Sequence, residues 1–322
     1  MDITIVIPTV NRQALLERAL ESALGQTIPC KILVSDNGST DGTKDYLSTI
    51  EHPLLTKKRT DCTVTHQQHA ALLQGWVDTE WAVFLSDDDW LEPGFIEAIS
   101  QASEDQPSAR MIYSQAWIWM WDRKYSGAKG PLLEPGIEFL RQFLQGHREP
   151  SWCAMALRME DIRAIGRQPA DRTIGDMYYW VRVAGKGEVA CVGQPLSNYC
   201  YIRDTPDNAT SGTPLGDWIR ESELLGQEMA DRILLADPPG TSSQREVDAE
   251  KKDFLARTSA NQVLWNRLRG RPITKVWKEV FAEWRRFMGP PRIFPRILIG
   301  MFMPKWVIKR CVLLFVRIRS RA

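Results

Sequence analysis

The chain has 322 residues, 43% apolar and 25% charged. That is enough for one large α/β domain with a smaller appendage, and it lies outside disordered and collagen-like compositions. The net charge of +1 conceals a division: from Arg267 onward 15 Lys and Arg stand against Glu279 and Glu283 alone, so a basic C-terminal segment with its own partner is expected. The six cysteines (Cys30, Cys62, Cys153, Cys191, Cys200, Cys311) form no CxxC pair, which excludes a cysteine zinc site and a small disulfide scaffold.

"ITIVI", residues 3–7, is a continuous β-branched run, the mark of a strand covered on both faces. A strand starting this early leaves no room for a signal peptide, and a cytoplasmic location is expected. Pro8 ends the strand; Asn11 is expected to cap a helix carrying Leu15, Leu16, Ala19, Leu20 and Ala23, with Gly25 as its stop. "KILVSD" (31–36) reads as a second strand, "NGSTDGT" (37–43) as a polar turn before a short helix, and "LLTKKR" as a third strand. Residues 66–78 read as a helix with His66 and His69 three apart, and no third metal ligand accompanies them. "WAVFLS" (81–86) is a fourth strand that runs into Asp87, Asp88 and Asp89.

Three adjacent carboxylates raise one another's pKa and require water, donors or a cation. One Asp helping to start a helix explains such a site only in part; oxygen-only ligands at a strand end suit Mg²⁺ or Mn²⁺. Strand–helix alternation implies a parallel sheet, whose ligands bind outside the carboxyl ends of the strands. Pro8-Thr9, Asp36-Asn37 and Asp87-Asp88 are therefore expected to converge on one crevice. Neither GxGxxG nor GxxxxGK[ST] is present, so phosphate charge must be met by another device, and a cation bridging two phosphate oxygens supplies one.

Farther on, "RMIYSQAWIWMWD" (110–122) places Trp117, Trp119 and Trp121 on one side of a strand. A core face is expected, with a sugar-stacking platform as the alternative. Residues 136–146 and 159–166 read as helices, 173–199 as a helix and then a strand, and the chain from Pro214 as helical around a loop at 236–244.

The succession "IVIPTVNR", "ILVSDNGSTDGT", "FLSDDDWLEPGF" and "IGDMYYWVRVAGKGEVACVGQPLSNY" resembles the family 2 glycosyltransferases of GT-A fold over residues 1–205. The resemblance implies an α/β fold with a mostly parallel sheet flanked by helices. It divides the chain into a catalytic domain (1–212), a helical region (213–290) and a basic amphipathic tail (291–322). It further implies that Pro8, Thr9, Asn11 and Asp36 hold the base and ribose of a nucleotide-sugar donor. Asp87 would lie near the ribose, and Asp88, with Asp89, on a divalent cation (Mn²⁺ or Mg²⁺); with Ser86 in the usual first position of the metal motif, Asp87/Asp88 and Asp87/Asp89 are the alternative working pairs. Asp176 matches the catalytic base, with a helix N-cap as its structural alternative, and Arg203 is a candidate for the diphosphate. One sugar would be transferred per encounter, with inversion, because the QxxRW motif of processive synthases is missing. Val10, Ser86 and Gly175 depart from the family pattern. Rival readings are a sugar-nucleotide nucleotidyltransferase and a catalytically silent scaffold.

The tail "RIFPRILIGMFMPKWVIKRCVLLFVRIRSRA" mixes aliphatic and basic residues and is broken at Pro304. Such a segment suits the surface of an anionic membrane beside a lipid-linked glycan acceptor, and its aliphatic content argues against nucleic acid. Packing on the catalytic domain or on a second copy in a homo-oligomer is the alternative.

Overall fold

The computed structural model describes residues 1–169, 175–202, 214–236, 243–268, 271–283 and 302–319. Strand β1 (Ile3–Thr9) pairs in parallel with β2 (Lys31–Asp36) and β4 (Trp81–Phe84), and β2 pairs in parallel with β3 (Leu55–Arg59). These strands alternate with α1 (Gln13–Leu24), α2 (Thr43–Thr49) and α3 (His66–Trp76). After β5 (Trp90–Leu91) and α4 (Phe95–Asp105), the long β6 (Ala109–Met120) turns back through β7 (Arg123–Ser126). The chain continues through β8 (Leu133–Pro135), α5 (Gly136–Gln145), β9 (Met155–Arg158), α6 (Met159–Ile165), α7 (Gly175–Ala184) and β10 (Glu188–Ile202).

The main sheet has the order β3-β2-β1-β4-β9-β6-β10-β5. Strand β9 runs antiparallel to both its neighbours, while β10 runs parallel to β6.

Residue alternation assigns the two faces of the sheet. Ile3, Ile5 and Ile7 pack with Leu16 and Leu20 of α1 and Ile96 and Ile99 of α4. Val6, Ala82 and Phe84 face the other way, onto Leu73 of α3, Leu140 and Leu144 of α5 and Val181 of α7. Helices α8 (Leu215–Ala236) and α9 (Gln244–Leu268) thicken that second layer through Leu225, Met229 and Phe254, so the helical region shares the sheet's core. Helix α10 (Ile273–Ala282) closes onto α8 and α9 through Val276 and Val280. Helix α11 (Lys305–Arg319) lays Ile308 and Val316 against Ala116, Ile118, Met120 and Tyr125 of the β6–β7 hairpin and Trp265 of α9.

Two local expectations are corrected. Asn11 does not cap α1: the N-cap position is Arg12, and Asn11 has a left-handed backbone, φ 53°. Its short amide suits that conformation and is used across the chain instead, Oδ1 accepting from Thr40 N at 2.6 Å. The tryptophans of β6 are not its core face either. Ala116, Ile118 and Met120 are buried, whereas Trp117 and Trp119 remain half-exposed on the opposite side. Trp121, at φ 59° in the hairpin turn, leaves their row and packs against the Ile118 cluster.

Candidate active site

The carboxyl ends of β1, β2 and β4 meet. Asn37 N donates to Thr9 O at 2.9 Å, tying the second turn to the first. Pro8 lies beside Ser35 in the parallel register. Thr9 Oγ1 donates to Asp87 Oδ2 at 2.8 Å, and Arg12 places a guanidinium nitrogen 2.9 Å from Asp87 Oδ1. Asp87 is only 4% exposed. Burial raises its pKa, with Arg12 and the Thr9 hydroxyl opposing and the neighbouring Asp88 adding to the rise.

Asp36, fully enclosed, accepts from Ser39 N at 2.8 Å and pairs with the Arg59 guanidinium. Both its oxygens are thus engaged in shaping the β2–α2 turn. Arg59 also donates to Ser39 O at 2.7 Å and borders a cavity of about 210 Å³ lined by Lys44, Lys57, Lys58 and Leu47. Any contact from Asp36 to a nucleotide therefore lies beside a basic wall.

Within the Asp cluster the three carboxylates differ. Asp89, 1% exposed, accepts from Cys200 N of β10 at 2.7 Å, so it joins the cluster to the far part of the sheet. Asp88 is the partly exposed member, and its carbonyl accepts from Arg18 of α1 at 2.9 Å. The Tyr199 phenol of β10 is pushed far above its ordinary pKa, chiefly by burial and further by Tyr201, Asp89, Asp176 and Asp88. One hydroxyl thus senses carboxylates that lie 88 positions apart in sequence.

Asp176 stands in the first turn of α7, partly buried. Burial raises its pKa, while the Met177 N–H and the imidazole of His66 pull the other way. His66 opens α3, whose start is fixed by a capping box: Gln68 N donates to Thr65 Oγ1 at 3.3 Å, and Thr65 N to Gln68 Oε1 at 3.0 Å. One turn on, buried His69 meets Ser35 Oγ through Nε2 at 2.6 Å, and burial lowers its pKa to about 4.

Among the described residues no group of three or more His, Cys, Asp or Glu side chains could cage a metal. The donor set fits a hard cation that takes one or two carboxylates from the protein and its remaining ligands from phosphate and water, as Mg²⁺ does. Of the residues singled out from the sequence, Thr9, Asn11, Asp36, Asp87, Asp88 and Asp89 lie at or just beyond the ends of β1, β2 and β4, whereas Asp176 lies in the first turn of α7. Arg203 lies outside the described residues. Arg12, Arg18, Arg59 and Tyr199 were missed; only "VNR", directly after the first strand, signalled the first of them.

Residues 4–162 match the family model described as Glycosyl transferase family 2. Residues 4–162 thus carry a family 2 glycosyltransferase domain, and the chain has the GT-A fold. Among solved structures, S. aureus TarS is similar with a TM-score of 0.59 at 12% identity, covering 99% of this chain and 53% of that one. This chain therefore spans about half the length of that protein. The TarS 1-349 structure in complex with UDP-GlcNAc has a TM-score of 0.57 at 11% identity, covering 98% and 92%. The mannosyltransferase PcManGT from Pyrobaculum calidifontis, in complex with GDP-Man and Mn2+, has a TM-score of 0.51 at 16% identity, covering 99% and 86%. Identities this low establish the shared fold. No curated protein matches the sequence.

Proposed function

We propose that this enzyme moves one sugar from a nucleotide-sugar donor to a hydroxyl of a lipid-linked glycan in surface polysaccharide synthesis, inverting the anomeric centre. The observation that carries the reading is the Asp cluster at the carboxyl end of β4, tied to the first strand by Thr9 Oγ1 donating to Asp87 Oδ2 at 2.8 Å, inside the segment that matches the family 2 model. Asp176 takes the proton of the acceptor hydroxyl as its oxygen bonds to the anomeric carbon and the bond from that carbon to the diphosphate breaks. A positioned carboxylate contributes roughly 10²–10⁴-fold in this role, and its raised pKa makes it a better base than an exposed Asp. A single displacement from the far face gives inversion. Asp88 with Asp89 would hold a divalent cation, which neutralises the departing diphosphate when bound. Arg12 and Arg18 fix the turn that presents these carboxylates. Thr9, Asn11 and Asp36 shape the turns beside which the nucleoside lies.

The basic tail would keep the enzyme on the inner face of the cytoplasmic membrane, beside its acceptor. The attachment proposed is peripheral; among the described residues no helix is long and apolar enough to cross a membrane. The donor reading is tested by ligand-observed NMR on a panel of UDP- and GDP-sugars with Mn²⁺ and with EDTA. Metal-dependent binding of one donor supports it; no binding of any donor in either condition overturns it.

A further inference from the structure

The half-exposed face of the sheet beyond α1 carries an ordered row of indole rings that the proposed chemistry does not use. In the strand register Trp90 of β5 lies across from Asn198 of β10, and Asn198 across from Trp117 of β6. Side chains at such positions share a face, and Trp119 joins them two residues on. The rings of Trp90 and Trp119 have centroids 5.5 Å apart. Trp119 is held in orientation: its Nε1 donates to Asn198 Oδ1 at 2.9 Å, and Asn198 Nδ2 donates to Glu92 Oε1 at 2.8 Å. Asn198 is 1% exposed. A buried amide clamped at both ends thus fixes the angle of a ring that itself reaches solvent, which simple core packing does not require.

The row begins at the Asp cluster and carries positive charge at both ends. Trp90 directly follows Asp89, and the Arg18 guanidinium that donates to Asp88 O lies 3.8 Å from the Trp90 centroid. At the far end Lys124 of β7 holds its ammonium 4.2 Å from the Trp117 centroid and 5.0 Å from that of Trp119.

We propose that Trp90, Trp119 and Trp117 form an acceptor subsite for a saccharide chain bearing acid groups. The proposal rests on the glycosyltransferase reading and names the acceptor class for the same crevice. Apolar faces of pyranose rings stack on the fixed indoles. The cation–π contact of Lys124 at a partly exposed site is weak enough for a sugar to displace. Its flexible stem then brings the ammonium to a carboxylate or phosphate on the chain. The inner end of the row, Trp90, lies beside the Asp cluster, so a chain stacked on it ends next to Asp88.

The test is isothermal titration of the full chain with three probes: a hexuronate oligosaccharide, a glycerol-phosphate oligomer and a neutral hexasaccharide. At least one acidic probe should bind tenfold or more tightly than the neutral one, and which one does identifies the source of the acid group. Trp117→Ala and Trp119→Ala should each weaken that binding about tenfold; Trp119→Phe, which keeps the ring face, should weaken it less. Lys124→Gln should bring the acidic and neutral probes to similar affinity. Nucleoside-diphosphate binding with Mn²⁺ is measured on the same variants and should not change. Equal binding of acidic probe by the wild type and a Trp117→Ala/Trp119→Ala double variant of unchanged melting temperature overturns the subsite, as does failure of all three probes to bind while a nucleotide-sugar binds. Tryptophan-dependent oligosaccharide binding without any nucleotide binding would instead leave the subsite standing and remove the transferase reading.

Discussion

The imidazole of His66 occupies the space that a side chain at position 175 would fill: a Cβ on Gly175 would lie 2.6 Å from His66 Cε1 and 2.9 Å from Gln168 Oε1. The missing side chain that sets this chain apart from the family pattern is thus the room in which a histidine meets the helix bearing Asp176. Gly175→Ala must displace the ring or the helix start. It should lower kcat roughly tenfold to a hundredfold, since a shift of about 1 Å at a reacting group has that effect, while the donor KM changes little. Steady-state kinetics checks this, and unchanged kcat would separate His66 from the reaction.

The same contact sets a pH dependence. Burial raises the Asp176 pKa and His66 opposes that rise; in turn, desolvation lowers the pKa of His66 and Asp176 raises it. His69, one turn along α3, feels the charge of His66, and Tyr199 on the β10 side feels that of Asp176. Loss of His66 removes a positive charge that favours the ionised carboxylate. His66→Asn should therefore move the acid limb of kcat/KM to higher pH. A pH–rate profile from pH 4.5 to 8 that coincides with the wild type would exclude this coupling.

Asp176→Asn separates catalysis from stability. Turnover should fall by about 10²-fold or more if this carboxylate is the base. The folded-state pKa is raised, so the fold favours the protonated form, and the ionised carboxylate costs stability above that pKa. The amide keeps an acceptor for the Met177 N–H without the charge. The melting temperature at pH 7 should hold or rise, and the gap to the wild type should close as the pH falls. A loss of about 1 kcal/mol with normal turnover would instead mark a simple helix cap.

Much of this site was legible in the sequence because its elements are local. "ITIVI" and "KILVSD" read as buried strands from side-chain type alone, and the strand-end rule then brought Thr9, Asp36 and Asp87 together. Gly25 ends α1 through its N–H to Glu21 O at 2.9 Å, as its position suggested. Long-range contacts were not legible: Arg59 reaches Asp36 across 23 positions, and Asp89 holds Cys200 across 111. The tryptophan row misled because period-2 alternation defines two faces without saying which one is covered. Only the placement of α9 and α11 decides that Ile118 lies inside and Trp119 at the surface.

His69 gives a stability prediction with a fixed sign. Its folded pKa of about 4 lies below the ordinary 6.5, burial being the main cause. The unfolded chain binds the proton more readily, so stability is fully present above pH 6.5 and is lost as the pH falls towards 4. The difference amounts to about 3 kcal/mol, a large part of a typical domain's margin. Urea midpoints measured between pH 7 and 4 should drop, and His69→Gln should flatten that part of the curve. An equally steep curve in the variant would move the effect to other groups.

The last prediction concerns α11, which carries two stripes. Ile308, Val312 and Val316, four apart, pack on the β6–β7 hairpin and α9. Away from them Trp306, Arg310 and Leu314 are exposed, Trp306 at 62% and Leu314 at 58%. Phe302 and Met303, just before the helix, and Phe281 at the end of α10 are exposed too, and Phe302 packs its ring 5.4 Å from Trp277. Helix packing and membrane contact are therefore compatible, each using its own stripe. Deleting α11 would uncover Ile118, Met120 and Trp265, so point substitutions make the cleaner test. The full chain should pellet with vesicles containing anionic lipid at low salt and stay in solution with neutral ones, since each basic residue near such a surface contributes about 1 kcal/mol. Trp306→Ser with Leu314→Ser should release it without lowering the melting temperature, because both side chains already face solvent. Raising the salt to about 0.5 M should release the wild type as well. If the wild type stays in the supernatant at low salt, or the double variant pellets as before, the exposed stripe does not bind lipid.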